Sequence, residues 1–486
     1  MIDSDPTRPL RRSVYTVLTV VTVAATAARV MNVERVYEPS LHRATNDVNP
    51  KAPPRDWPKS RPLPMPTFSS NDRSRWAMIR ALVDEGTFAL GRRDAMPDGK
   101  HKDVGIIAED GWQTLDKVLN PETQIFYSSK PPLLPVMVAG EYWLIQKLTG
   151  WTLSEKPWRV VCPILLTVNV APLAVYLVLL SRLIEKYGQS DWGRLVAFAA
   201  ACFGTYLTTF ATTLNNHTVA AVAALMAVYP LLMADDGPSL LAVAVSGLFA
   251  GLAFSFELPA ASLLVGLLGV LILRIPRKTL LAFLPAAAIP IGTQAALNYV
   301  ELGDWKPAYE KLDGPWYRYP DSHWAKEGKA RIGIDFAGDK ESRTTYAFHL
   351  LFGHHGVFSL TPLWLLGALG MVATVFATQG RARVWWDVNL VSLGCLAACV
   401  AFFAFYVSTV NYGGWTSGPR WFFWLTPLLI LALVPVADRC AESLIGRILV
   451  YVCLAVSVFS AWYPTSNPWR HPWVYQVMEA AGWPAY

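Results

Sequence analysis

Residues 126–144 read FYSSKPPLLPVMVAGEYWL, in which Lys130 and two prolines stand directly before an apolar stretch. Whether residues 131–149 cross a membrane decides on which side every later loop lies. The stretch contains Glu141 and Lys147, and a charge near the bilayer centre costs about 2.5–3.5 kcal/mol on insertion scales. We therefore predict a helix that lies in the outer interface or dips into it. The prolines suit its first turn, where no hydrogen bond is lost.

The composition of the whole chain indicates a membrane protein. Of the 486 residues, 53% are hydrophobic and only 16% are charged, whereas soluble domains have about 25% charged residues. Apolar runs of roughly 18–22 residues recur, and each is long enough to span about 30 Å of hydrocarbon. The sequence therefore predicts an all-α polytopic membrane protein rather than a β-barrel. Much of the net charge of +6 lies in short loops, which indicates membrane topology and not nucleic-acid binding.

The hydropathic pattern predicts about eleven transmembrane helices. The first apolar run follows several arginines and resembles a signal peptide as well as an uncleaved span. Because the run is long and many others follow it, we predict a span. The predicted spans are residues 13–31, 159–180, 193–213, 217–233, 239–257, 259–274, 279–298, 359–378, 388–408, 421–437 and 445–462.

The sidedness of the loops follows from their basic residues, which concentrate in cytoplasmic loops. If the N-terminus is cytoplasmic and residues 131–149 do not cross, the short basic loops all lie inside and the two long loops face outward. The predicted organisation is a cytoplasmic N-terminus with the first span (1–31), a first outer loop with interfacial helices (32–158), spans two to seven (159–298), a second outer loop (299–358), spans eight to eleven (359–462) and an outer tail (463–486).

A short helix after a proline-rich linker carries the first candidate site residue. Residues 69–90 read SSNDRSRWAMIRALVDEGTFAL, with capping residues at the start, Gly86 as a stop and an apolar face that includes Trp76. This pattern predicts an amphipathic helix at the interface. Asp72, in its first turn, either complements the helix dipole or is a catalytic carboxylate. Arg73 and Arg75 nearby would keep that carboxylate ionised and would also bind anionic groups.

These elements together resemble a known family. A first span, DRSRWA at residues 72–77 on a short outer helix, and YSSKPPLL at residues 127–134 before an apolar helix resemble the GT-C glycosyltransferases, especially the branch of aminoarabinose transferases and protein O-mannosyltransferases. That branch has a motif of the form D-E-x-x-Y-A. Here Asp72 is kept, Arg73 stands at the usual Glu and Trp76 at the usual Tyr. The resemblance implies a GT-C-like helical bundle and a polyprenyl- or dolichyl-phosphate sugar donor, used on the side opposite the cytoplasm.

On this resemblance we predict a membrane glycosyltransferase that works by an inverting displacement. Asp72 would remove a proton from the acceptor, and cations would stabilise the departing lipid phosphate. Lys130 either binds that phosphate or is a lysine that extends to the interface. The acceptor is a lipid, a glycan or a protein. We expect the enzyme in the bacterial inner (plasma) membrane, with its site facing the periplasm or the exterior.

Other polar residues at the predicted outer face are candidates for the substrate cavity. Asn215, Asn216 and His217 begin a span and either contact the sugar or cap the helix. Glu257 either lines the donor cavity, pairs with an arginine or is a plain loop acid. Arg420 is either a second phosphate ligand or an interfacial anchor.

Three histidines stand close together before a later span. Clustered histidines such as His349, His354 and His355 bind metal ions, but their spacing matches no standard zinc pattern and no nearby acid completes the set. We therefore expect substrate contact or interface packing from His354 and His355 and assign no metal ligand. The sequence leaves open whether a divalent cation serves as a cofactor.

Two other functions are compatible with the sequence. A lipid or solute transporter should carry paired charges or broken helices near the middle of the membrane and often has repeated halves, whereas the polar clusters here concentrate at one predicted face. A catalytically inactive GT-C-like scaffold is the other, because Arg73 replaces the usual acid.

Overall fold

The computed structural model describes residues 5–32, 67, 69–312, 314–325, 334, 341–377, 383–406, 412–464 and 467–483. The chain divides into two compact units. Unit 1 comprises Met1–Ala27, Asn169–Leu297 and Lys326–Tyr486, and unit 2 comprises Ala28–Val168 and Asn298–Ala325. Unit 1 therefore contains most of the predicted spans, and unit 2 contains most of the predicted first outer loop.

Helices dominate the described residues. Those of the first half are α1 (Arg8–Met31), α2 (Ser70–Arg80), α3 (Leu133–Thr149), α4 (Pro157–Leu165), α5 (Ala171–Tyr187), α6 (Asp191–Phe203), α7 (Leu207–Phe210) and α8 (Asn216–Met233). Those of the second half are α9 (Leu240–Phe256), α10 (Ala261–Arg274), α11 (Pro276–Lys278), α12 (Leu284–Leu302), α13 (Arg343–Leu351), α14 (Val357–Leu360), α15 (Leu363–Phe376), α16 (Arg383–Val400), α17 (Thr426–Cys440), α18 (Leu444–Trp462) and α19 (Trp473–Ala480).

Seven helices in the described ranges have the length and composition of a membrane span: Arg8–Met31, Pro157–Tyr187, Asn216–Met233, Pro276–Leu302, Arg383–Tyr406, Arg420–Cys440 and Leu444–Trp462. Leu240–Phe256, Leu258–Arg274 and Leu363–Phe376 are shorter apolar helices. Their outer faces expose large apolar side chains, such as Leu273 (82% exposed) and Ile445 (81%), which suit hydrocarbon and not water. The predicted class, a polytopic helical membrane protein, is confirmed.

One predicted span differs from the structure. Of residues 193–213, only α6 and the short α7 are helical. Gly204 follows α6, and the threonine hydroxyls beyond it bond to backbone carbonyls, Thr208 to Thr205 and Thr209 to Ala461. Such side-chain bonds compete with helical ones. The segment is therefore a buried, irregular connection that hydropathy alone did not distinguish from a continuous helix.

Glycines permit close approach of α15 to α17. A Cβ atom added at Gly370 would lie 1.8 Å from the carbonyl oxygen of Ala432, and one at Gly367 would lie 2.8 Å from that of Leu429. Membrane helices without a hydrophobic force between them associate through such close backbone contacts. These two positions therefore fix the packing of α15 on α17.

Ion pairs collect at the end of unit 1 where α1 begins. Arg11 donates to Glu185 near the end of α5 and, at 2.5 Å, to Asp191 at the start of α6. The neighbouring loops are joined in the same way, through Lys186–Asp235 at 2.6 Å and Arg274–Asp387 at 3.0 Å. The short basic loop between α5 and α6 thus lies beside the N-terminal segment.

Helix α1 contacts the helix that contains α4 and α5 within each of the two units. Within unit 2, Cys162 in α4 contacts the carbonyl oxygen of Val30, near the end of α1, at 3.6 Å. Within unit 1, Arg11 near the start of α1 contacts Glu185 near the end of α5. Helices α4 and α5 belong to one apolar helix, Pro157–Tyr187.

Unit 2 contains a small antiparallel sheet that the sequence did not predict. Its strands are β1 (Gly91–Ala95), β2 (His101–Val104), β3 (Lys117–Leu119) and β4 (Ile125–Ser128), in the order β2-β1-β4-β3. The register pairs Arg93 with Asp103 and Lys117 with Ser128. Strands β1 and β2 are rich in charged residues, and β3 and β4 are only three and four residues long, so none shows the apolar alternation over several residues that marks a strand. The sheet is a minor addition to a helical fold.

Helix α2 begins and ends as predicted but is more deeply buried. The Ser69 side chain accepts from Asn71 N, and the Asp72 side chain accepts in turn from Ser69 N, which is a capping box. A π-helical turn, Ala81–Glu85, continues α2 to Gly86, whose φ of 68° closes the helix. Strand β4 and helix α3 both pack on α2. The amphipathic pattern therefore underestimated the burial, since even the Arg75 side chain is covered.

Candidate functional site

The carboxylate of Asp72 caps α2 from inside unit 2. Its Oδ1 accepts hydrogen bonds from Ser69 N at 2.8 Å and Ser69 Oγ at 3.0 Å, and the residue has no exposed surface. Asp72 thus takes part in a capping box, and its place in the first turn of α2 also suits the helix dipole, one of the two roles that the sequence allowed.

Ser74, one half-turn further along α2, connects this helix to the Lys-Pro motif. Its Oγ lies 2.6 Å from Ser128 Oγ at the end of β4 and donates to the carbonyl oxygen of Asp116 at 2.6 Å. Ser128 Oγ also accepts from the backbone N–H of Lys130 at 3.1 Å. The structure therefore brings the DRSRWA and YSSKPPLL motifs together within unit 2.

Lys130 has a carboxylate partner that the sequence analysis missed. Its Nζ lies 2.5 Å from Asp116 Oδ1, and the two side chains are 17% and 16% exposed. The pairing of β3 with β4 is the cause, because Lys117 lies opposite Ser128 and Ser129 N donates to the carbonyl oxygen of Asp116. A lysine held in this way can exchange its partner for another anion, such as a phosphate.

The other two predicted residues of unit 2 are enclosed. Arg75 Nη1 donates to the carbonyl oxygen of Asn71 at 2.9 Å and also to its side-chain oxygen. Trp76 has no exposed surface. In this conformation both residues support the first turns of α2, and the phosphate and cavity roles predicted for them stay predictions.

A buried polar cluster forms where α8 begins and α9 ends. Glu257 accepts from Asn216 Nδ2 and pairs with His217 Nδ1. These partners take the place of the arginine that the sequence left open for Glu257. Asn215 caps α8, since its Oδ1 accepts from Thr218 N at 3.0 Å. The cluster offers an acid, an imidazole and an amide, which are groups that can bind sugar hydroxyls or transfer a proton.

Arg420 lies on the same aromatic cluster as His217. Its guanidinium stands 5.0 Å from the ring centroid of Trp469, within the range of a cation–π contact. Phe210 packs edge-on against both Trp469 and Phe423, at 5.4 and 5.1 Å, and the His217 ring lies 6.2 Å from that of Phe423. Unit 1 thus places a cation and the Glu257 cluster around three shared aromatic rings.

The predicted histidine cluster is buried rather than at the surface. The His349 and His354 rings stack at 4.0 Å, and Nδ1 of His354 lies 2.5 Å from Nδ1 of His355. Burial, with smaller contributions from His349 and His471, lowers the pKa of His354 to about 2. Burial also lowers the pKa of His471 to about 4 and holds that of His355 well below its ordinary value. The imidazoles of His354, His355 and His471 are therefore neutral at pH 7.

An acid does complete this cluster, contrary to the expectation from spacing. Glu341 lies before α13, and its Oε1 is 4.0 Å from Nε2 of His349. Its Oε2 accepts from the Tyr412 hydroxyl at 2.6 Å. One possible ligand atom from each of Glu341, His349 and His354 lies within 4.8 Å of the others. The sequence pattern missed Glu341 because the residues between the acid and the first histidine gave no metal-binding spacing.

The predicted site residues belong to two units. Those of unit 2 are Asp72, Arg75, Trp76 and Lys130. Those of unit 1 are Asn215, Asn216, His217, Glu257, His354, His355 and Arg420.

Comparisons with known proteins gave similarities only at the level of solved structures. No protein-family model and no curated protein matches the sequence. The archaeal oligosaccharyltransferase AglB from Archaeoglobus fulgidus, in complex with an inhibitory peptide and a dolichol-phosphate, is similar over 99% of this chain, with a TM-score of 0.49 and 11% identity. This chain spans 58% of the AglB chain.

ArnT from Cupriavidus metallidurans is also similar. In its apo state it matches 83% of this chain and 72% of its own, with a TM-score of 0.43 and 14% identity. Its structure bound to undecaprenyl phosphate matches 82% of this chain and 72% of its own, with a TM-score of 0.42 and 13% identity.

Proposed function

We propose that the chain is an integral-membrane glycosyltransferase that moves a sugar from a polyprenyl-phosphate-type donor to an acceptor on the non-cytoplasmic side. The observation that carries the proposal is the joined cluster of unit 2. There the helix that bears Asp72 is tied to Lys130 through Ser74 and Ser128. A carboxylate that removes a proton and a cation that stabilises a leaving phosphate are the two groups that this transfer needs.

The proposed step is a single displacement. The Asp72 carboxylate takes the proton from an acceptor hydroxyl or amine as that oxygen or nitrogen forms a bond to the anomeric carbon. The bond from the anomeric carbon to the phosphate oxygen breaks, and its electron pair leaves with the lipid phosphate. One displacement inverts the anomeric configuration. Because Asp72 is wholly buried, the acceptor reaches it only after the first turn of α2 opens.

Lys130 is the proposed ligand of the donor phosphate. Its ammonium is partly exposed and already holds one anion, Asp116. A charge-assisted contact with phosphate would replace or join that pair. Arg75 is a further candidate in unit 2, provided that it leaves Asn71. In unit 1, Arg420 on Trp469 is a candidate because a guanidinium binds phosphate in a bidentate manner.

Residues of unit 1 are proposed to contact substrate. Asn216, His217 and Glu257 supply donors and acceptors beside aromatic rings, a combination suited to sugars. The side chains of Asn215, His354 and His355, like that of Trp76 in unit 2, are buried in this conformation. Substrate contact by these four therefore requires another conformation.

The proposed sidedness follows from α3 not crossing the membrane. Glu141 and Lys147 in α3 would each be costly near the bilayer centre, which supports a helix that does not cross. With a cytoplasmic N-terminus, unit 2 then faces the periplasm or exterior of a bacterial inner membrane. A divalent cation is compatible with this chemistry.

The proposal is tested by identifying the lipids that copurify with the protein by mass spectrometry and then measuring donor binding. The Lys130→Ala variant should bind a polyprenyl-phosphate sugar about tenfold more weakly or worse, since it loses a charge-assisted bond. Lys102→Ala is the control, because Lys102 is an exposed lysine of β2. Equal affinity of Lys130→Ala and wild type would remove the phosphate role. Donor movement across a vesicle without sugar transfer would instead identify a transporter.

A further inference from the structure

We propose that Glu341, His349 and His354 form a binding site for a transition-metal ion of the Zn²⁺ type in unit 1. This inference does not depend on the proposed sugar transfer. It rests on the placement of the three side chains and on the groups that surround them.

The backbone brings the three side chains together over a short stretch of chain. Glu341 precedes α13, His349 lies in its last turn and His354 follows it. Gly353 makes the return possible, because a Cβ atom there would lie 2.2 Å from Nδ1 of His349. Because residue 353 is a glycine, the loop can fold back, and the His354 ring stacks on the His349 ring at 4.0 Å. Any residue other than glycine at position 353 would push the two imidazoles apart.

The distances suit a metal ion after a small adjustment. The three ligand atoms lie within 4.8 Å of one another. Zinc bonds to imidazole nitrogen and carboxylate oxygen of about 2.0–2.2 Å place the ligand atoms roughly 3.3–3.5 Å apart in a tetrahedral site. Side-chain rotations of Glu341 and His354 that bring the three ligand atoms about 1 Å closer together would therefore allow all three to bond to one zinc ion.

The chemistry of the set selects the kind of metal. Two imidazoles with one carboxylate suit zinc, iron and related first-row ions, whereas magnesium and calcium prefer oxygen ligands. A neutral imidazole is the form of histidine that binds a metal. Glu341 then supplies the single negative charge of the set.

The groups behind the ligands are those that a metal site uses. The Tyr412 hydroxyl donates to Oε2 of Glu341 at 2.6 Å and fixes that carboxylate. His355 contacts Nδ1 of His354 through its own Nδ1 at 2.5 Å. If His354 donates in this contact, its Nε2 keeps a lone pair for the metal. His355 therefore acts as a positioning residue that selects the tautomer of His354.

The site also accounts for the burial of so many imidazoles. Within the part of the chain that the structure describes, Nδ1 of His349 and Nε2 of His355 have no hydrogen-bond partner. Burying an unsatisfied polar group costs roughly 1–3 kcal/mol. A metal ion bound to His349 and His354 would offset part of this cost and would hold α13 to the loop that follows it.

The test uses the full chain in lipid nanodiscs, purified through a tag without a histidine run, stripped with a chelator and then incubated with Zn²⁺ or with Mg²⁺. Elemental mass spectrometry should find about one bound Zn²⁺ per chain and no retained Mg²⁺. The variants Glu341→Gln, His349→Ala and His354→Ala should each lose bound zinc. His355→Ala should weaken zinc affinity by about 10–100-fold, as expected for a positioning residue. His101→Ala, at an exposed histidine of β2, should bind zinc as the wild type does.

A second measurement separates loss of metal from loss of fold. His354→Cys keeps a ligand at that position, so the Co²⁺-loaded variant should gain a sulfur-to-cobalt absorption band that the wild type lacks. Wild-type protein that retains no zinc would overturn the proposal. So would a His354→Cys variant that elutes as the wild type does, binds Co²⁺ and shows no such band.

Discussion

Nζ of Lys130 lies 2.5 Å from Oδ1 of Asp116, and both side chains are largely covered by unit 2. Asp116 directly precedes strand β3, and Lys130 follows strand β4 by two residues. The pairing of these strands therefore sets the position of the charge pair. A lysine ammonium paired with a carboxylate thus lies directly before an apolar helix, α3.

This pair should be measurable as an energetic coupling. We expect Lys130→Met and Asp116→Asn each to lower the free energy of unfolding in detergent, because each leaves a partly covered charge without its partner. The double variant should cost less than the sum of the two, by about 1 kcal/mol. Denaturant unfolding of the four proteins gives this coupling. Single effects that add to within about 0.3 kcal/mol would mean that the two charges do not stabilise one another.

The join between α2 and β4 should be detectable as a cross-link. Ser74 Oγ and Ser128 Oγ are 2.6 Å apart, so a Ser74→Cys/Ser128→Cys variant should form a disulfide under mild oxidation. Peptide mass spectrometry detects the linked fragments. The control pair Ser74→Cys/Tyr127→Cys should stay reduced, because adjacent side chains of a strand point to opposite faces. A cross-link that forms equally in both pairs would contradict the structure of unit 2.

Hydropathy and capping signals were sufficient for most of the helical framework. Ten of the predicted spans correspond to the seven apolar helices of span length and the three shorter apolar helices of the structure. Ser69 and Gly86 marked the ends of the helix that bears Asp72. The prediction of a continuous span over residues 193–213 was wrong because Gly204 and the threonines after it interrupt a run that is apolar on average. The sheet was not predicted because strands such as β1, with the sequence GRRDA, show no apolar alternation.

The partners of the candidate site residues were harder to predict, for a different reason. Asp116 meets Lys130 only through the register of β3 with β4. Glu341 meets His349 across the first turns of α13 and a segment without regular pattern. Glu257 meets His217 and Asn216 because α8 and α9 are antiparallel neighbours. Each residue type was visible in the sequence, whereas the tertiary contact that pairs it was not.

The Glu257 cluster should be sensitive to shape as well as charge. Glu257→Ala removes the buried carboxylate that Asn216 and His217 contact, so we expect it to lower the free energy of unfolding by about 3–5 kcal/mol. Glu257→Gln keeps an acceptor oxygen for Asn216 and should cost about 1–3 kcal/mol. Glu122→Ala, in the exposed turn before β4, should be near neutral. Thermal unfolding in detergent ranks the three. Equal stability of Glu257→Ala and Glu122→Ala would show that the cluster does not hold α8 to α9.

Sugar transfer by Asp72→Asn in reconstituted liposomes addresses the proposed chemistry directly. Asparagine keeps the oxygen that caps α2 but cannot act as a base, so the variant should fold. With a polyprenyl-phosphate sugar and an acceptor, wild type and the exposed-residue control Asp94→Asn should form product of inverted anomeric configuration. Asp72→Asn should retain donor binding and lose transfer by about 10²–10⁴-fold. Sugar transfer by Asp72→Asn at the wild-type rate would contradict the assignment of Asp72 as the base. Absence of transfer by the wild type would contradict the proposed glycosyltransferase activity.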